Sequence, residues 1–126
     1  MSAANDNPNQ RRFPRLNVSV KLEGHWWDLE GGRRKLSALM VVISEGGVQM
    51  RCADPLPANA RVEFPIKLGS LRRFEARGVV RWWRRAGEVR ELGVEFDEPI
   101  RRLGTFVEKE LSSAAREPKP TSGAVA

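Results

Sequence analysis

Two short segments of this chain carry side chains suited to binding a flat, negatively charged ligand. The first is Gln10–Arg15, in which three of the six residues are arginine. The planar guanidinium group of arginine forms paired hydrogen bonds with phosphate oxygens and stacks on flat rings. Pro14 disfavours a helical conformation at the residue before it, which predicts an extended arm. The arginines of this arm are Arg11, Arg12 and Arg15. A solvated basic arm at a domain boundary is the alternative interpretation.

The second segment is a glycine-rich stretch, Val42–Val48, which lies between two apolar runs. Ser44 provides a hydroxyl that both donates and accepts hydrogen bonds. Gly46 and Gly47 have no side chains, which predicts a tight turn whose exposed backbone N–H groups a ligand approaches closely. An ordinary hairpin turn is the alternative interpretation of this segment.

Residues with catalytic or metal-binding chemistry are sparse. The chain has one cysteine, Cys52, which is expected to be a small buried hydrophobic residue, and one histidine, His25. One cysteine excludes a disulfide within the chain and a cysteine-rich zinc site. One histidine argues against a Ser-His-Asp triad, and no pair of carboxylates accompanies a nucleophile. We therefore predict a protein that is not an enzyme, with no catalytic residues and no metal.

The charge of the chain favours an anionic partner. Lys and Arg total 22 against 16 acidic residues, which makes the net charge +6, and 17 of the basic residues are arginine. A basic domain of this kind is suited to a nucleotide, a nucleic acid or a membrane surface. The alternative is that arginine simply keeps a β-rich surface soluble and reflects a GC-rich genome.

Length and patterning predict one soluble domain with two polar ends. The chain has 126 residues, of which 40% are hydrophobic. No apolar run approaches the roughly 18 to 20 residues that span a bilayer, and the first ten residues lack the pattern of a secretory signal. We therefore expect no membrane span and a cytoplasmic location. Residues 1–10 and 112–126 are too polar to bury a core and are predicted to be disordered, which leaves residues 11–111 as the folded unit.

The elements that position the two segments are predicted mainly as strands. Hydrophobic residues alternate with polar residues in most of six stretches, and the stretch around 39–43 is nearly continuous. These stretches are residues 16–22, 39–43, 48–52, 62–68, 74–82 and 92–96. Such spacing predicts a small six-stranded antiparallel β-barrel or sandwich. Pro65 cannot donate a hydrogen bond, which places its strand at an edge of the sheet.

One helix is predicted after the last strand. Pro99 is suited to the first turn of a helix, and apolar residues then recur every three or four positions. This stripe comprises Ile100, Leu103, Phe106, Val107 and Leu111. The predicted fold class is therefore all-β with a C-terminal helix, in which the barrel carries the helix against one end.

The order and spacing of the two segments resemble those of the PilZ domain, a family of bacterial receptors for the second messenger cyclic di-GMP. The family's motifs are Arg-x-x-x-Arg before the first strand and Asp/Asn-x-Ser-x-x-Gly in a later hairpin. Arg11 and Arg15 match the first motif. Ser44 and Gly47 match the second motif. The resemblance covers residues 11–111 and implies the same six-stranded barrel with its helix.

The resemblance also implies a ligand, cyclic di-GMP, and a way of signalling. The residues implied to contact the nucleotide are Arg11, Arg12, Arg15, Ser44, Gly46 and Gly47. The arginine arm is implied to become ordered over the bound nucleotide and to create a surface for an unidentified downstream protein. Control of motility, pili or exopolysaccharide is the implied output.

One position departs from the family's pattern. Val42 stands where the family has an Asp or Asn that hydrogen-bonds the guanine edge. Losing such a contact costs about 1 to 3 kcal/mol, or roughly 5- to 150-fold in affinity. An alternative is therefore a PilZ-like domain that does not bind cyclic di-GMP and acts through protein contacts alone. A basic barrel that binds nucleic acid is a third hypothesis, which the two matched motifs disfavour.

Overall fold

The computed structural model describes residues 13–116. Six strands precede one helix along the chain. The elements are β1 (Arg15–Trp27), β2 (Arg33–Ser44), β3 (Gly47–Cys52), β4 (Arg61–Leu68), β5 (Arg72–Ala86), β6 (Val89–Phe96) and the helix α1 (Arg101–Arg116). No helix among these residues is long and apolar enough to cross a membrane.

The six strands close into an antiparallel barrel in the order β1-β2-β3-β6-β5-β4. Closure gives every strand two neighbours, because β1 pairs with β4 across the seam. The prediction of a six-stranded antiparallel β-barrel with a C-terminal helix is confirmed. The strands are longer than the sequence pattern indicates at their ends, most of all in β2, which spans 12 residues.

The core fills the inside of this barrel and follows the alternation in the sequence. In β4, Val62, Phe64, Ile66 and Leu68 are buried, while the residues between them are exposed or half-buried. The largest fully buried side chains of the domain are Leu36, Met40, Ile43, Met50, Leu56, Ile66, Leu92, Leu103, Val62, Val80, Val94 and Val107. Leu103 and Val107 belong to α1, so the helix caps the same core that the strands enclose.

The expectation that Pro65 marks an edge strand is wrong. β4 lies between β5 and β1 in the closed ring. Pro65 is accommodated because the pairing between β1 and β4 covers Arg61, Val62 and Glu63 and stops before the proline. A strand in a closed barrel therefore still has a segment where a missing N–H group leaves no gap in the ladder.

The helix follows the predicted apolar stripe, with differences at both ends. It begins at Arg101, so Pro99 lies before its first turn rather than within it. It continues to Arg116, past the predicted end of the folded unit at Leu111. Leu111 itself is 36% exposed, so the buried part of the stripe ends at Val107.

Candidate ligand-binding site

The pairing of β1 with β2 brings the two candidate segments together. Arg15, the first residue of β1, is the direct partner of Ser44, the last residue of β2. The Cβ atoms of directly opposed residues in an antiparallel pair lie about 4.5 to 5.5 Å apart. A shallow depression surrounds the pair and is lined by Arg15, Val42, Ser44, Gly47, Val48 and Gln49.

The structure describes part of the predicted arginine arm. Arg11 and Arg12 lie outside the described residues, whereas Arg15 is exposed at the start of β1. Arg15 forms no ion pair with any residue of the described part of the chain. Its guanidinium group is therefore available to an external anion, unlike most of the arginines on the barrel surface.

The Ser44 hydroxyl is used inside the turn. Its Oγ accepts hydrogen bonds of 3.2 Å from the backbone N–H groups of Gly46 and Gly47 and donates one of 3.2 Å to the Gly47 carbonyl. This arrangement satisfies both the donor and the acceptors of a hydroxyl. The expectation that these two N–H groups are exposed for a ligand is therefore wrong: Ser44 shapes the turn, and its side chain is 4% exposed.

The turn is also fixed from the outside. The Gly46 carbonyl accepts a hydrogen bond of 3.0 Å from Phe96 N, and the Glu45 carbonyl accepts one of 2.9 Å from Ile100 N. These bonds connect the turn to the end of β6 and to the residue that precedes α1. A turn held at both of its carbonyls presents a preformed surface, which lowers the cost of ordering it on binding.

A tryptophan covers the neighbouring part of the outer surface. The indole of Trp82 lies over Gly93, and a Cβ at Gly93 would be 2.8 Å from Trp82 Cδ1. A side chain at position 93 is therefore incompatible with this position of the ring. Trp82 Nε1 is buried without a hydrogen-bond partner among the described residues. Neither Gly93 nor this stacking was predicted from the sequence, because both depend on the pairing of β5 with β6.

The tryptophans differ widely in burial. Trp26 is 6% exposed in the core, whereas Trp83 is 41% exposed at the outer end of the β5–β6 hairpin. The Arg90 guanidinium lies 3.7 Å from the centre of the Trp83 ring. This contact occupies one face of the exposed ring.

Most arginines near the site are paired with carboxylates. Arg81 Nε lies 2.7 Å from Glu95 Oε1, and Glu91 accepts hydrogen bonds from both Arg84 and Arg51. Burial raises the pKa of Glu91, but its two arginine partners outweigh burial and leave that pKa below its ordinary value. Four of the seven arginines on β5 and β6 are paired with a carboxylate in this way, whereas Arg15 is not paired within the described residues.

The single cysteine is buried, as its pattern predicted. Cys52 is 4% exposed, and burial raises the pKa of its thiol to about 11. A thiol with this pKa stays protonated near neutral pH and is a poor nucleophile. Among residues 13–116, no group of three or more His, Cys, Asp or Glu side chains is arranged to hold a metal ion.

Comparison with protein-family models identifies one family. The family model of the PilZ domain matches residues 9–109. No match is found among curated proteins.

Two solved structures have the same fold. The structure of the Bacillus subtilis inhibitor of motility, MotI/DgrA, superposes with a TM-score of 0.64 at 20% identity and covers 84% of this chain. The chain spans 53% of that protein. The PilZ domain of Escherichia coli YcgR with c-di-GMP superposes with a TM-score of 0.60 at 17% identity, covering 86% of this chain and 98% of that one.

Proposed function

This chain belongs to the PilZ domain family, and on that premise we propose that it is a receptor for cyclic di-GMP. The nucleotide binds on the outer face of β1, β2 and β3, around Arg15 and the Ser44–Gly47 turn. The protein acts as a cytoplasmic adaptor without catalytic activity. It passes the signal to a separate protein.

One observation carries this proposal. Arg15, which forms no ion pair within the described residues, lies directly opposite Ser44 where β1 pairs with β2. Arg15 supplies a charge-assisted fork for a phosphate of the ligand. Ser44 holds the turn in shape through its three hydrogen bonds. Gly46 and Gly47 leave the turn without side chains, so the nucleotide approaches the backbone closely.

Arg11 and Arg12 complete the proposed site from the arm that precedes β1. Arg11 stands four residues before Arg15, as the family's first motif requires. Further guanidinium groups there would bind the phosphates and the base edges. Ordering this arm over the ligand would change the surface beside the barrel.

The downstream partner is proposed to be a protein of the motility, pilus or exopolysaccharide machinery. One of the two similar structures is an inhibitor of motility. The chain matches about half of that protein.

Thermal denaturation with added nucleotides tests this proposal. A ligand that binds the folded state raises Tm, and at 100 times its Kd it adds about 2.7 kcal/mol of stability. Cyclic di-GMP should raise Tm, whereas GMP and cyclic di-AMP at the same concentration should not. An equal response to all three, or none to cyclic di-GMP, contradicts the proposal.

One observation favours a second candidate function. Val42 lines the depression at the position where the family carries Asp or Asn. A domain that has lost this contact would serve as a protein-binding module that no longer responds to the nucleotide. The same denaturation experiment separates the two candidates, since this module would show no shift with cyclic di-GMP.

A further inference from the structure

Val42 lies between two side-chain amides. Its direct partner on β1 is Asn17, and its direct partner on β3 is Gln49. Directly opposed residues point to the same face of a sheet. Asn17 is exposed and Gln49 is half-buried, whereas Ile43, the next residue along β2, is fully buried in the core. The three side chains therefore form a row on the outer face, with the valine at its centre.

The strands are irregular on both sides of this row. The register between β1 and β2 shifts between Asn17 and Val20, and the register between β2 and β3 shifts between Met40 and Val42. A bulge inserts an extra residue, bends the strand and re-aims the neighbouring side chains, and such features concentrate next to binding sites. The row around Val42 is thus a place where the sheet departs from regular pairing.

The side-chain amides of Asn17 and Gln49 are not engaged in other described contacts. Asn17 and Gln49 form no side-chain hydrogen bond with any residue in the described range 13–116. Gln49 lines the same depression as Arg15 and Val42. Asn17 lies two residues after Arg15 on β1, so both project from the same face. An amide has an oxygen that accepts and a nitrogen that donates hydrogen bonds, which suits it to the mixed edge of a purine.

We infer that Asn17 and Gln49 together recognise the guanine base and supply the hydrogen bonds that Val42 cannot form. Val42 serves as an apolar floor beneath the base, and the amides on either side accept from the guanine N1–H and 2-amino groups. This inference rests on the proposed function and names the residues that read the base. In the family pattern one Asp or Asn on β2 recognises guanine, whereas here two amides, on β1 and β3, would recognise it.

Calorimetric titration of the full chain tests this inference with two nucleotides. The first is cyclic di-GMP, and the second is cyclic di-inosine monophosphate, which lacks the guanine 2-amino group. The wild type should prefer cyclic di-GMP. The double variant Asn17→Ala/Gln49→Ala should bind cyclic di-GMP about 5- to 150-fold more weakly, the range expected for lost hydrogen bonds of this kind. It should also lose its preference over the inosine analogue.

Two further variants control for misfolding and for a general effect of removing surface polarity. Ser37→Ala removes a polar group from an exposed position of β2 that is away from the row, and it should bind like the wild type. Adding Val42→Asn to the double variant should restore affinity for cyclic di-GMP, because it returns an amide to the centre of the row. Restoration also shows that the two alanine substitutions do not prevent folding.

The outcomes separate this inference from the proposed function. If the wild type binds cyclic di-GMP and the double variant keeps the same affinity and preference, the amides do not read the base and the inference is overturned. If the wild type does not bind cyclic di-GMP at all, the proposed function fails and the inference fails with it.

Discussion

The carbonyl oxygen of Glu45 accepts a hydrogen bond of 2.9 Å from the backbone N–H of Ile100. This bond joins the turn that forms the proposed ligand site to the residue immediately before the helix α1. The Glu45 side chain also packs against Gly104 in the first turns of that helix. The turn and the start of the helix are therefore in direct contact.

The contact between Glu45 and Gly104 predicts an unusual sign for a helix substitution. Replacing a helical glycine with alanine ordinarily stabilises a helix by about 1 kcal/mol. At Gly104 a Cβ would lie 2.9 Å from Glu45 Cβ, so Gly104→Ala should instead destabilise the protein, by about 1 to 3 kcal/mol. Urea denaturation measures this, with Lys109→Ala on the exposed side of α1 as control. A gain in stability in Gly104→Ala would show that the helix is not pressed against the turn.

The internal hydrogen bonds of Ser44 predict that it matters for folding as well as for binding. Ser44→Ala leaves the N–H groups of Gly46 and Gly47 and the Gly47 carbonyl without their partner in a buried turn. We expect a loss of about 1 to 3 kcal/mol in the free energy of unfolding. Chemical denaturation of Ser44→Ala beside the exposed Ser37→Ala measures the difference. Equal stabilities for the two variants would contradict the role assigned to the hydroxyl.

The packing of Trp82 on Gly93 predicts coupling between the two positions. Gly93→Ala should destabilise the protein because its Cβ would meet the indole. In a Trp82→Ala background the same substitution should cost much less, since the ring is absent. A double-mutant cycle on unfolding free energies gives the interaction energy, which for residues in contact is about 0.5 to 3 kcal/mol. Additive effects would mean that the indole does not occupy the space above Gly93.

The ion pairs of Glu91 predict a dependence of stability on pH. Burial raises the pKa of Glu91, but Arg84 and Arg51 together lower it by more than burial raises it. The pKa in the folded protein therefore lies below the ordinary value of 4.5. A carboxylate with a lowered folded pKa stabilises the protein fully above its unfolded pKa, and this contribution is lost as the pH falls toward the folded pKa. Stability should therefore decline from pH 6 to pH 3 more steeply in the wild type than in Glu91→Gln, by about 1 kcal/mol. Parallel curves for the two proteins would show that the folded pKa is not lowered.

Much of the fold was predictable because the local hydrophobic patterns of the sequence match the burial of the same residues in the structure. The alternation of residues such as Val62 and Phe64 predicts strands, since one face of each strand must enter the barrel. The stripe that contains Leu103 and Val107 predicts the helix, and both residues are fully buried. The edge assignment for Pro65 failed because whether a strand has a second neighbour depends on closure of the ring, which no local pattern encodes.

The sequence indicated that the two predicted segments lie close together, but it did not indicate the contacts that their side chains make. The spacing of Arg15 and Ser44 indicated a shared site, and the pairing of β1 with β2 places them opposite each other. The use of the Ser44 hydroxyl inside the turn depends on backbone geometry at Gly46 and Gly47. The position of Asn17 beside Val42 depends on the register between β1 and β2. An irregularity shifts this register, so the pairing cannot be obtained by counting residues from the connection between the two strands.

Isothermal titration with cyclic di-GMP, with GMP as a control, tests whether the wild type binds the nucleotide and whether Arg15 is required, by comparison with Arg15→Ala. Arg15 is exposed and unpaired among the described residues, so its removal should leave the fold intact, which circular dichroism verifies. We expect selective binding of cyclic di-GMP by the wild type and a loss of at least about tenfold in Arg15→Ala, as for a charge-assisted contact of about 1.5 to 3 kcal/mol. No binding by the wild type, or equal affinity in the two proteins, would contradict this expectation.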